Sequence, residues 1–443
     1  MNNTNEIKSS YAAHIANLQS GYDAALDATG FDGVILHSGR GLKKLTVDDQ
    51  YWPLNVNPSF AQWLPLQDAN TLVVVQKGKT PTLIRPISTS FWEGPAPVAS
   101  DHYESSFTVV DVSADAVATA LPQGKLAWIG NTLEAARELK VDVDATNPGK
   151  LQTELDALRV IKSPYEITCL TEATRIATLG HAHVAKLFAQ GQYSELDLHL
   201  EYLRVTQQDA SQTPYGNIVA QGQNAAILHH VHYGKSVDTR ENLSLLIDAG
   251  ATSMGYASDI TRTYVRGSSE AAQGFARLLD GMDELALELC DQVKPGMPYE
   301  ELHNSAHTLL AKLLLKNEIC PNADAQTLVD EGITRAFFPH GLGHSLGLQV
   351  HDVGCRLSPP SEKNPFLRNT STITAGQFFT IEPGCYFIPA LLGPLKESAS
   401  AKFVSWSTVD RLSPFGGIRI EDNLLVTQSA SINLTRDNWP SQP

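Results

Sequence analysis

The first 150 residues alternate between helical and strand-type hydrophobic patterns. Residues 9–29 carry apolar side chains at helical spacing, which predicts an amphipathic helix. Apolar runs of strand length follow, with helical segments between some of them: we predict strands at 33–37, 71–76, 81–86 and 125–130, and helices around 114–121 and 132–139. Because strands interleaved with helices are typical of an α/β fold, we predict an α/β N-terminal domain over residues 1–160.

A turn-forming cluster, Thr146-Asn147-Pro148-Gly149, marks the end of this domain. Ser163-Pro164-Tyr165-Glu166 then has the pattern of a capping box with proline at the first helical position, and it predicts a helix through about Gln190. Strand and turn patterns dominate the rest of the chain, which predicts a second, α+β domain over residues 161–443. Further helices are predicted at 194–208, 269–292 and 299–315.

The stretch Leu245–Tyr264, LLIDAGATSMGYASDITRTY, has two strand-type runs on either side of a glycine-containing turn, which predicts a hairpin. If the turn centres on Ser253 and Met254, Asp248 and Asp259 lie directly opposite each other. Opposed side chains are about 5 Å apart at Cβ, and two like charges at that distance repel. The pair therefore predicts a bound cation.

Two further stretches supply side chains that commonly bind metals. Phe337–Asp352, FFPHGLGHSLGLQVHD, holds His340, His344 and His351 among glycines that disfavour a helix. We predict a loop whose backbone approaches a ligand closely and whose rim displays imidazoles. In QFFTIEPGC, Glu382 ends an apolar strand that the following Pro-Gly pair stops.

The strand GGIRIEDNLLV places Arg419 and Glu421 on one face, with its isoleucines on the other. The candidate metal ligands of the whole chain are Asp248, Asp259, His344, Glu382 and Glu421. Their four carboxylates and one imidazole carry a formal charge of −4, which two divalent cations balance. Without metal, converging carboxylates would repel one another and take up protons. The oxygen-rich ligand set favours Mn²⁺ by hardness, whereas affinity alone favours Co²⁺ or Zn²⁺.

Composition narrows the class of protein. The 443-residue chain is 42% hydrophobic and has a formal net charge of −15, which argues against nucleic acid or an anionic membrane surface as a partner. No apolar run reaches the length of a membrane span, and the polar N-terminus lacks a signal-peptide pattern. The five cysteines are scattered without a CxxC pair. We expect a cytoplasmic protein with reduced thiols, in which Cys355 and Cys385 pack as ordinary side chains.

The order and context of these motifs resemble the pita-bread metallopeptidases. The resemblance rests on DAG…DITRTY, HGLGH with a histidine seven residues further on, TIEPG and RIEDN, and it runs over essentially the whole chain. Thr213–Asn217, Ala226–His229 and Asp48–Pro65 are similar to the bacterial Xaa-Pro dipeptidase (prolidase) branch, which also contains organophosphorus acid anhydrolases. The fold that the resemblance implies is an α/β N-terminal domain followed by an α+β pita-bread catalytic domain.

The activity that the resemblance implies is metal-dependent hydrolysis of Xaa-Pro dipeptides by a bridging hydroxide. Two divalent metal ions, expected to be Mn²⁺, would be held by the five ligands named above. Glu382 would also act as the base, His351 would hydrogen-bond the developing oxyanion, and His229 would help to bind the substrate.

The resemblance also implies roles around the metal ions. Arg368 would pair with the proline carboxylate, and Arg419 would orient Glu421 and line the site. Asp49 matches a loop residue that reaches a partner subunit's site, which implies a homodimer whose N-terminal domain contributes to the pocket. The residues that would shape the pocket are Tyr215, His340 and Val350.

Several alternatives stay open at this stage. A secondary activity on organophosphate triesters and fluorophosphonates is plausible, because the same hydroxide could attack phosphorus. Aminopeptidase P-type removal of the N-terminal residue from longer Xaa-Pro peptides is the main alternative function. A metal-free binding module or a creatinase-like amidinohydrolase would be expected to lack ligands, and none of the five is missing. His230 or His232 could replace His229 in its role, and Asp48 could replace Asp49.

Overall fold

The computed structural model describes residues 2–47, 49–87, 91–92, 101–353 and 358–440. Asp48 and Cys355, which the sequence analysis names, lie outside these residues. The chain divides into two units, one formed by residues 1–159 and 163–168 and the other by residues 160–162 and 169–443. No helix in the described part of the chain is both long enough and apolar enough to cross a membrane.

The first unit is built on a five-stranded sheet with the order β4-β3-β2-β1-β5. Its strands are β1 (Gly33–His37), β2 (Leu72–Gln76), β3 (Thr82–Ile87), β4 (Thr108–Ser113) and β5 (Leu126–Ile129). Its helices are α1 (Asn2–Thr29), α2 (Pro58–Ala61), α3 (Asp101–Glu104), α4 (Val117–Ala120), α5 (Leu133–Glu138) and α6 (Gly149–Ala157). β1–β2 and β2–β3 are antiparallel, whereas β1–β5 and β3–β4 are parallel. The α/β class predicted for this part of the chain is confirmed.

The second unit carries most of the remaining helices. They are α7 (Pro164–Gln190), which begins in the first unit, α8 (Glu195–Thr206), α9 (Glu270–Gln292), α10 (Tyr299–Lys316), α11 (Ala325–Asp330), α12 (Ile333–Phe337), α13 (Pro389–Glu397), α14 (Trp406–Leu412) and α15 (Leu434–Asp437). The predicted capping box is present, because Ser163 N donates to Glu166 Oε2 at 2.8 Å and Glu166 N donates to Ser163 Oγ at 3.3 Å. Ser194 caps α8 in the same way, with Asp197 as its partner.

The strands of the second unit form several small antiparallel sheets. They are β6 (Ile218–Gln221), β7 (Leu243–Asp248), β8 (Thr252–Ser253), β9 (Tyr256–Ala257), β10 (Thr261–Arg266), β11 (Phe378–Ile381), β12 (Gly384–Tyr386), β13 (Gly417–Arg419), β14 (Asp422–Val426) and β15 (Ser431–Asn433). Two three-stranded sheets have the orders β10-β7-β6 and β11-β14-β15, while β12 pairs with β13 and β8 with β9. The mixture of helices with antiparallel sheets confirms the α+β class.

One large apolar core holds the second unit together. Leucines of α9 and α10 pack there against apolar residues of β11, β13 and β14, including Phe379, Ile418 and Leu424. Fully burying one such side chain stabilises the fold by about 1.5–3 kcal/mol. Because side chains alternate across a strand, Ile418 and Ile420 face this core while Arg419 and Glu421 face the other way.

The register of the predicted hairpin differs from the expectation. Asp248 lies opposite Thr261 in the β7–β10 pair, so the prediction that Asp248 and Asp259 lie directly opposite each other is wrong by two residues. The turn centres on Met254 and Gly255, whose φ angles of 51° and 83° are the two positive values that a type I′ turn requires. The shift is even, so Asp259 keeps to the face of Asp248 and becomes its diagonal neighbour.

The cysteines within the described residues are buried. Cys290, Cys320 and Cys385 are free thiols, and Cys169 is buried as they are. Burial raises the pKa of Cys320 to about 12 and that of Cys385 still further, so neither thiol ionises at neutral pH. Cys385 lies in the same core cluster as Phe379 and Ile418, in agreement with a packing role.

Candidate metal centre

Two aspartates at the end of the β7–β10 hairpin form the first side of the site. Asp248 ends β7, Asp259 lies two residues before β10, and both are buried. The hydroxyl of Tyr215 is 2.7 Å from Asp248 Oδ1 and 2.5 Å from Asp259 Oδ1. The Tyr215 hydroxyl carries one hydrogen, so it can donate to only one of these two aspartate oxygens at a time. Burial and the negative charge of Asp248 raise the pKa of Asp259, as expected where a cation is needed.

The ring of His344 is oriented so that its Nε2 faces carboxylates; although burial opposes the charged form, Asp259 and Glu382 raise the pKa of His344. Its Nδ1 lies 3.1 Å from the carbonyl oxygen of Ser345, and because a carbonyl only accepts, Nδ1 carries the hydrogen. Nε2 lies 3.4 Å from Asp259 Oδ2, 3.6 Å from Glu382 Oε1 and 3.8 Å from Glu421 Oε1. This orientation of an imidazole toward carboxylates, with the second nitrogen fixed by a carbonyl, is typical of a metal ligand.

Glycine allows the loop of His344 to lie against the neighbouring strand. A Cβ at Gly343 would lie 2.0 Å from the carbonyl oxygen of Thr380 in β11. With no side chain at 343, His344 N donates to Thr380 Oγ1 at 3.1 Å and Thr380 N donates to the His344 carbonyl at 2.9 Å. The predicted glycine-rich loop therefore approaches β11 closely and displays the imidazole from a fixed backbone.

Glu421 gives the clearest sign of a cation-binding site. Its Oε2 accepts from Thr261 Oγ1 at 2.7 Å, whereas its Oε1 is buried without a hydrogen-bond partner. Burial, followed by the charges of Asp259, Glu382 and Asp248, raises the pKa of Glu421 well above its ordinary value. Ligand atoms of Asp259, His344 and Glu421 all lie within 4.8 Å of one another. An orphaned carboxylate oxygen inside such a group fits a divalent ion.

Glu382 joins the group from the short connection between β11 and β12. Its backbone N donates to the Leu342 carbonyl at 2.8 Å, which fixes it beside the histidine loop. Burial raises the pKa of Glu382 to about 7, with Asp259 and Asp248 adding to the rise and His344 and Arg419 opposing it. A carboxylate with a pKa near neutral can accept a proton and release it again.

Arg419 anchors Asp248 from behind. Its Nη2 donates to Asp248 Oδ2 at 2.6 Å, its Nη1 to the Tyr386 hydroxyl at 2.9 Å and its Nε to Thr261 Oγ1 at 3.2 Å. The predicted contact between Arg419 and Glu421 is therefore indirect, through Thr261. Although Arg419 and Glu421 share one face, the guanidinium of Arg419 points away from Glu421 and reaches across to Asp248 in the neighbouring sheet.

The chain of hydrogen bonds that begins at Arg419 continues to His340. The Nδ1 of His340 lies 2.8 Å from the Gly341 carbonyl and must donate to it, so its Nε2 accepts from the Tyr386 hydroxyl at 2.8 Å. Tyr386 is a functional-site residue that the sequence analysis missed. Alternation along β12 was the available signal, since residues 382, 384 and 386 share one face.

A cavity of about 810 Å³ opens over these residues. All five predicted metal ligands line it, together with four residues expected to contact the substrate or reaction centre: His229, His340, His351 and Arg368. Its apolar side includes Leu228, Phe366 and Leu391. Tyr215 and Val350 are not among the described lining residues, although Tyr215 contacts both aspartates. Asp49 belongs to the first unit, where it is exposed and accepts from Gln50 Nε2 at 3.3 Å.

At the rim, Arg368 fixes the protonation of His351. Arg368 Nη1 lies 3.1 Å from Nδ1 of His351, and because a guanidinium only donates, Nδ1 must accept and Nε2 carries the hydrogen. Burial, with His344 and then Arg368, lowers the pKa of His351 to about 3, so the ring is neutral. Its ring meets that of His344 edge-on, with centroids 4.4 Å apart.

Two family models cover most of the chain. The model of metallopeptidase family M24 matches residues 168–428, and the model described as the N-terminal domain of Xaa-Pro dipeptidase matches residues 9–157. The Xaa-Pro dipeptidase of Pseudoalteromonas atlantica is 42% identical over 438 residues, which are 96% of this chain and 98% of the relative. That of Colwellia psychrerythraea is 41% identical over 98% of both chains.

Several solved structures of similar fold are aminopeptidases P. Proline aminopeptidase P II from Yersinia pestis has a TM-score of 0.73 and 21% sequence identity, over 98% of this chain and 97% of that one. Aminopeptidase P from Escherichia coli with the inhibitor Pro-Leu also has a TM-score of 0.73 and 21% identity, over 97% and 95% of the two chains. At this identity the likeness shows the fold alone, and it confirms the pita-bread architecture.

Proposed function

The chain belongs to metallopeptidase family M24, and from this premise we propose that it hydrolyses Xaa-Pro dipeptides with the help of divalent metal ions. The observation that carries the proposal is the single cavity in which a buried carboxylate–imidazole cluster lies together with an exposed arginine and two histidines. The cluster suits metal-assisted attack on a peptide carbonyl, and the positive charge of the arginine suits the free carboxylate of a dipeptide. The match to curated Xaa-Pro dipeptidases over nearly the full chain supports the choice of substrate.

Five residues would hold the metal. They are Asp248, Asp259, His344, Glu382 and Glu421. We propose two ions, because the four carboxylates need two divalent charges for balance, and we propose Mn²⁺, with Co²⁺ or Zn²⁺ as substitutes, because most of the ligand atoms are oxygen. When bound, such ions lower the pKa of a water molecule and polarise the carbonyl of the scissile bond.

The protein groups around the scissile bond divide the proton transfers between them. Glu382, which lines the cavity, would take a proton from the attacking water and deliver it to the proline nitrogen. His351 would donate its Nε2–H to the oxyanion, since Arg368 occupies the other ring nitrogen. The nitrogen of an Xaa-Pro bond carries no N–H. The proton delivered by Glu382 therefore becomes the N–H of the proline that leaves.

Substrate binding would fall to the rim of the cavity. Arg368 and His229 would pair with the proline carboxylate and limit the substrate to two residues. Arg419 would line the floor while it orients Asp248, and Asp49 would reach the cavity of a partner subunit. The residues that would shape the pocket are Tyr215, His340 and Val350.

Three further proposals concern the whole protein, and the first follows from the role of Asp49. It would act as a homodimer, in which residues 1–160 contribute to dimerisation and to the pocket. It would work in the cytoplasm, on small dipeptides released by other peptidases. Water activated at the same centre would also suit attack on phosphorus, so we propose hydrolysis of organophosphate triesters and fluorophosphonates as a secondary activity.

The deciding experiment compares two dipeptides, Ala-Pro and Leu-Pro, with the tripeptide Ala-Pro-Ala. The protein is stripped with a chelator and supplied again with Mn²⁺, Co²⁺ or Zn²⁺ in parallel. We expect metal-dependent cleavage of the dipeptides alone. Equal cleavage of the tripeptide would replace the proposal with an aminopeptidase P-type activity, which the fold of the solved relatives also accommodates. No cleavage of any of the three would contradict both.

A further inference from the structure

The segment between β6 and β7 carries part of the cavity wall but little regular structure. It begins with a short 3₁₀ helix, Gly222–Ala226, and has no helix or strand from there to Leu243. Leu228 and His229 of this segment line the cavity. Irregular backbone lacks the ladder of hydrogen bonds that positions a strand, so other groups must fix it.

The carboxylate of one residue fixes this segment. Glu195, in the first turn of α8, accepts four hydrogen bonds, all from residues 221–234. Its Oε1 accepts from Gln221 N and from Asn224 Nδ2, each at 2.7 Å. Its Oε2 accepts from His230 Nε2 at 2.9 Å and from Gly234 N at 2.7 Å. A single side chain thus ties together the start of the segment, its middle at Gly234, and the residue next to His229.

The carboxylate is buried and charged. Only 3% of the surface of Glu195 is exposed. Although burial opposes the charge, hydrogen bonds from Asn224, Gln221, Gly234 and His230 hold the pKa of Glu195 below its usual range. Hydrogen bonds to a charged acceptor are about twice as strong as neutral ones, so this arrangement is rigid.

Two successive histidines of the segment differ in burial, and this difference shows how Glu195 can act on the cavity. His230 is buried and points back to Glu195, whereas His229 is exposed and lines the cavity. Fixing the ring of His230 therefore fixes the backbone from which the ring of His229 projects. Leu228 packs at the edge of a core cluster with Ile218 and Tyr386, which holds the other neighbour of His229.

We propose that Glu195 is a positioning residue for substrate binding, which acts through His230 to hold His229 and Leu228 against the cavity. The inference rests on the proposed dipeptidase function, in which His229 contacts the substrate. It concerns binding of the dipeptide and leaves the metal ligands untouched. The four hydrogen bonds of Glu195 all come from residues 221–234 and involve none of the five candidate metal ligands.

The sharpest variant is Glu195→Gln, which keeps the shape and removes two acceptor positions. Whichever way the amide turns, its NH₂ group faces either the Gln221–Asn224 donors or the His230–Gly234 donors, and two donors then oppose each other. The matched control is Glu201→Gln on the same helix, where the carboxylate pairs with His183 and Arg204 instead. Both proteins are assayed as the Mn²⁺-loaded full chain on Ala-Pro.

We expect Glu195→Gln to raise KM about tenfold while kcat stays within about threefold and the bound metal is unchanged. Hydrogen exchange of the backbone amides in 222–234 should be faster than in the wild-type protein. Glu201→Gln should change neither. A second pair separates positioning from stability: His230→Gln keeps a donor near the place of Nε2 and should retain the wild-type KM, whereas His230→Ala should raise it.

Three outcomes would overturn the inference. Unchanged KM in both Glu195→Gln and His230→Ala would show that the segment does not need this anchor. A joint fall in kcat and bound metal would place Glu195 in support of the metal centre. If the wild-type protein cleaves no Xaa-Pro dipeptide, the proposed function fails, and the exchange experiment still decides on Glu195: wild-type exchange rates in the variant would refute the anchor. If Glu195→Gln does not fold, the His230 pair gives the same decision.

Discussion

Arg368 donates a hydrogen bond to Nδ1 of His351 across 3.1 Å, so the residue proposed to bind the substrate carboxylate also fixes the ring proposed to stabilise the oxyanion. The two roles are separable by substrate choice. A dipeptide acid such as Ala-Pro uses both, whereas the corresponding amide, Ala-Pro-NH₂, has no carboxylate and uses only the second.

We predict that Arg368→Ala raises KM for Ala-Pro by about tenfold or more, because a charge-assisted hydrogen bond is lost. It should also lower kcat on both Ala-Pro and its amide, because nothing then holds His351 in the Nε2–H form. Steady-state kinetics with both substrates measure the two effects. Arg411→Ala, which removes an exposed arginine paired with Glu270, is the control. Unchanged kcat on both substrates would remove Arg368 from the orientation of His351.

Asp259→Asn should abolish most of the activity and most of the metal binding. The change leaves the shape intact but removes a negative charge from the group of Asp259, His344 and Glu421. Loss of a metal-supporting partner costs about 10–100-fold in affinity or activity, and loss of a direct ligand should cost more. Metal content after dialysis and the rate on Ala-Pro measure the effect. Asp280→Asn, an exposed position on α9, is the control, and near-normal turnover of Asp259→Asn would contradict the proposed centre.

Arg419→Lys tests the support of Asp248. Lysine keeps the positive charge, but its ammonium cannot donate in the three fixed directions that reach Asp248, Tyr386 and Thr261. We expect metal affinity to fall about 10–100-fold, as for other partners of metal ligands. Titration of the stripped protein with Mn²⁺, followed by activity or calorimetry, gives the affinity. Wild-type metal affinity in this variant would show that a positive charge next to Asp248 is sufficient, without the directed hydrogen bonds of the guanidinium.

The first unit should lose stability in acid through His37. Burial, and after it the charge of Arg40, lowers the pKa of His37 from 6.5 to about 4. Between these values the unfolded chain binds more protons than the folded one, so the free energy of unfolding falls as the pH drops from about 6.5 toward 4. Above pH 6.5 both states are neutral at this ring, and the contribution disappears. The loss is about 2 kcal/mol at pH 5.

His37→Phe should remove that slope while it keeps the stacking on Trp128, whose ring centroid lies 4.9 Å away. Urea unfolding of the metal-free protein at pH 7 and pH 5 measures the difference between wild type and variant. His232→Phe, at an exposed position, should leave the pH dependence of the wild-type protein unchanged. A variant His37→Phe that keeps the full wild-type slope would assign the acid sensitivity to other groups.

Sequence patterns predicted the elements better than their registers. Each predicted strand of the first unit is found with ends displaced by at most one residue, because buried apolar runs bounded by turns are a strong local signal. The edge strand β4 escaped prediction, since most of its residues are partly or fully exposed. The hairpin register failed because the turn type decides it, and Met254-Gly255 adopts a type I′ turn one residue later than expected.

The site shows the same division. The five candidate ligands stand out because charged residues inside apolar strands need partners. The contacts of Tyr215 with both aspartates, and of Arg419 with Asp248 across 171 positions in sequence, depend on how separate sheets meet. Glu195 gave no signal either, because a glutamate in the first turn of a helix is ordinary and its burial emerges only from the packed structure.

The joining of the two catalytic sheets also bears on the order in which the domain folds. Thr261 and Glu421 form an isolated bridge between strands 160 residues apart in sequence, and ligands come from both sides of it. Contacts of such long range form late, because closing the intervening chain costs entropy before it is repaid. A metal ion can therefore be captured only once the domain is nearly complete, and it acts as a lock on the finished fold. Refolding of the stripped chain should then proceed at the same rate with or without metal. Unfolding, by contrast, should be slower when metal is bound.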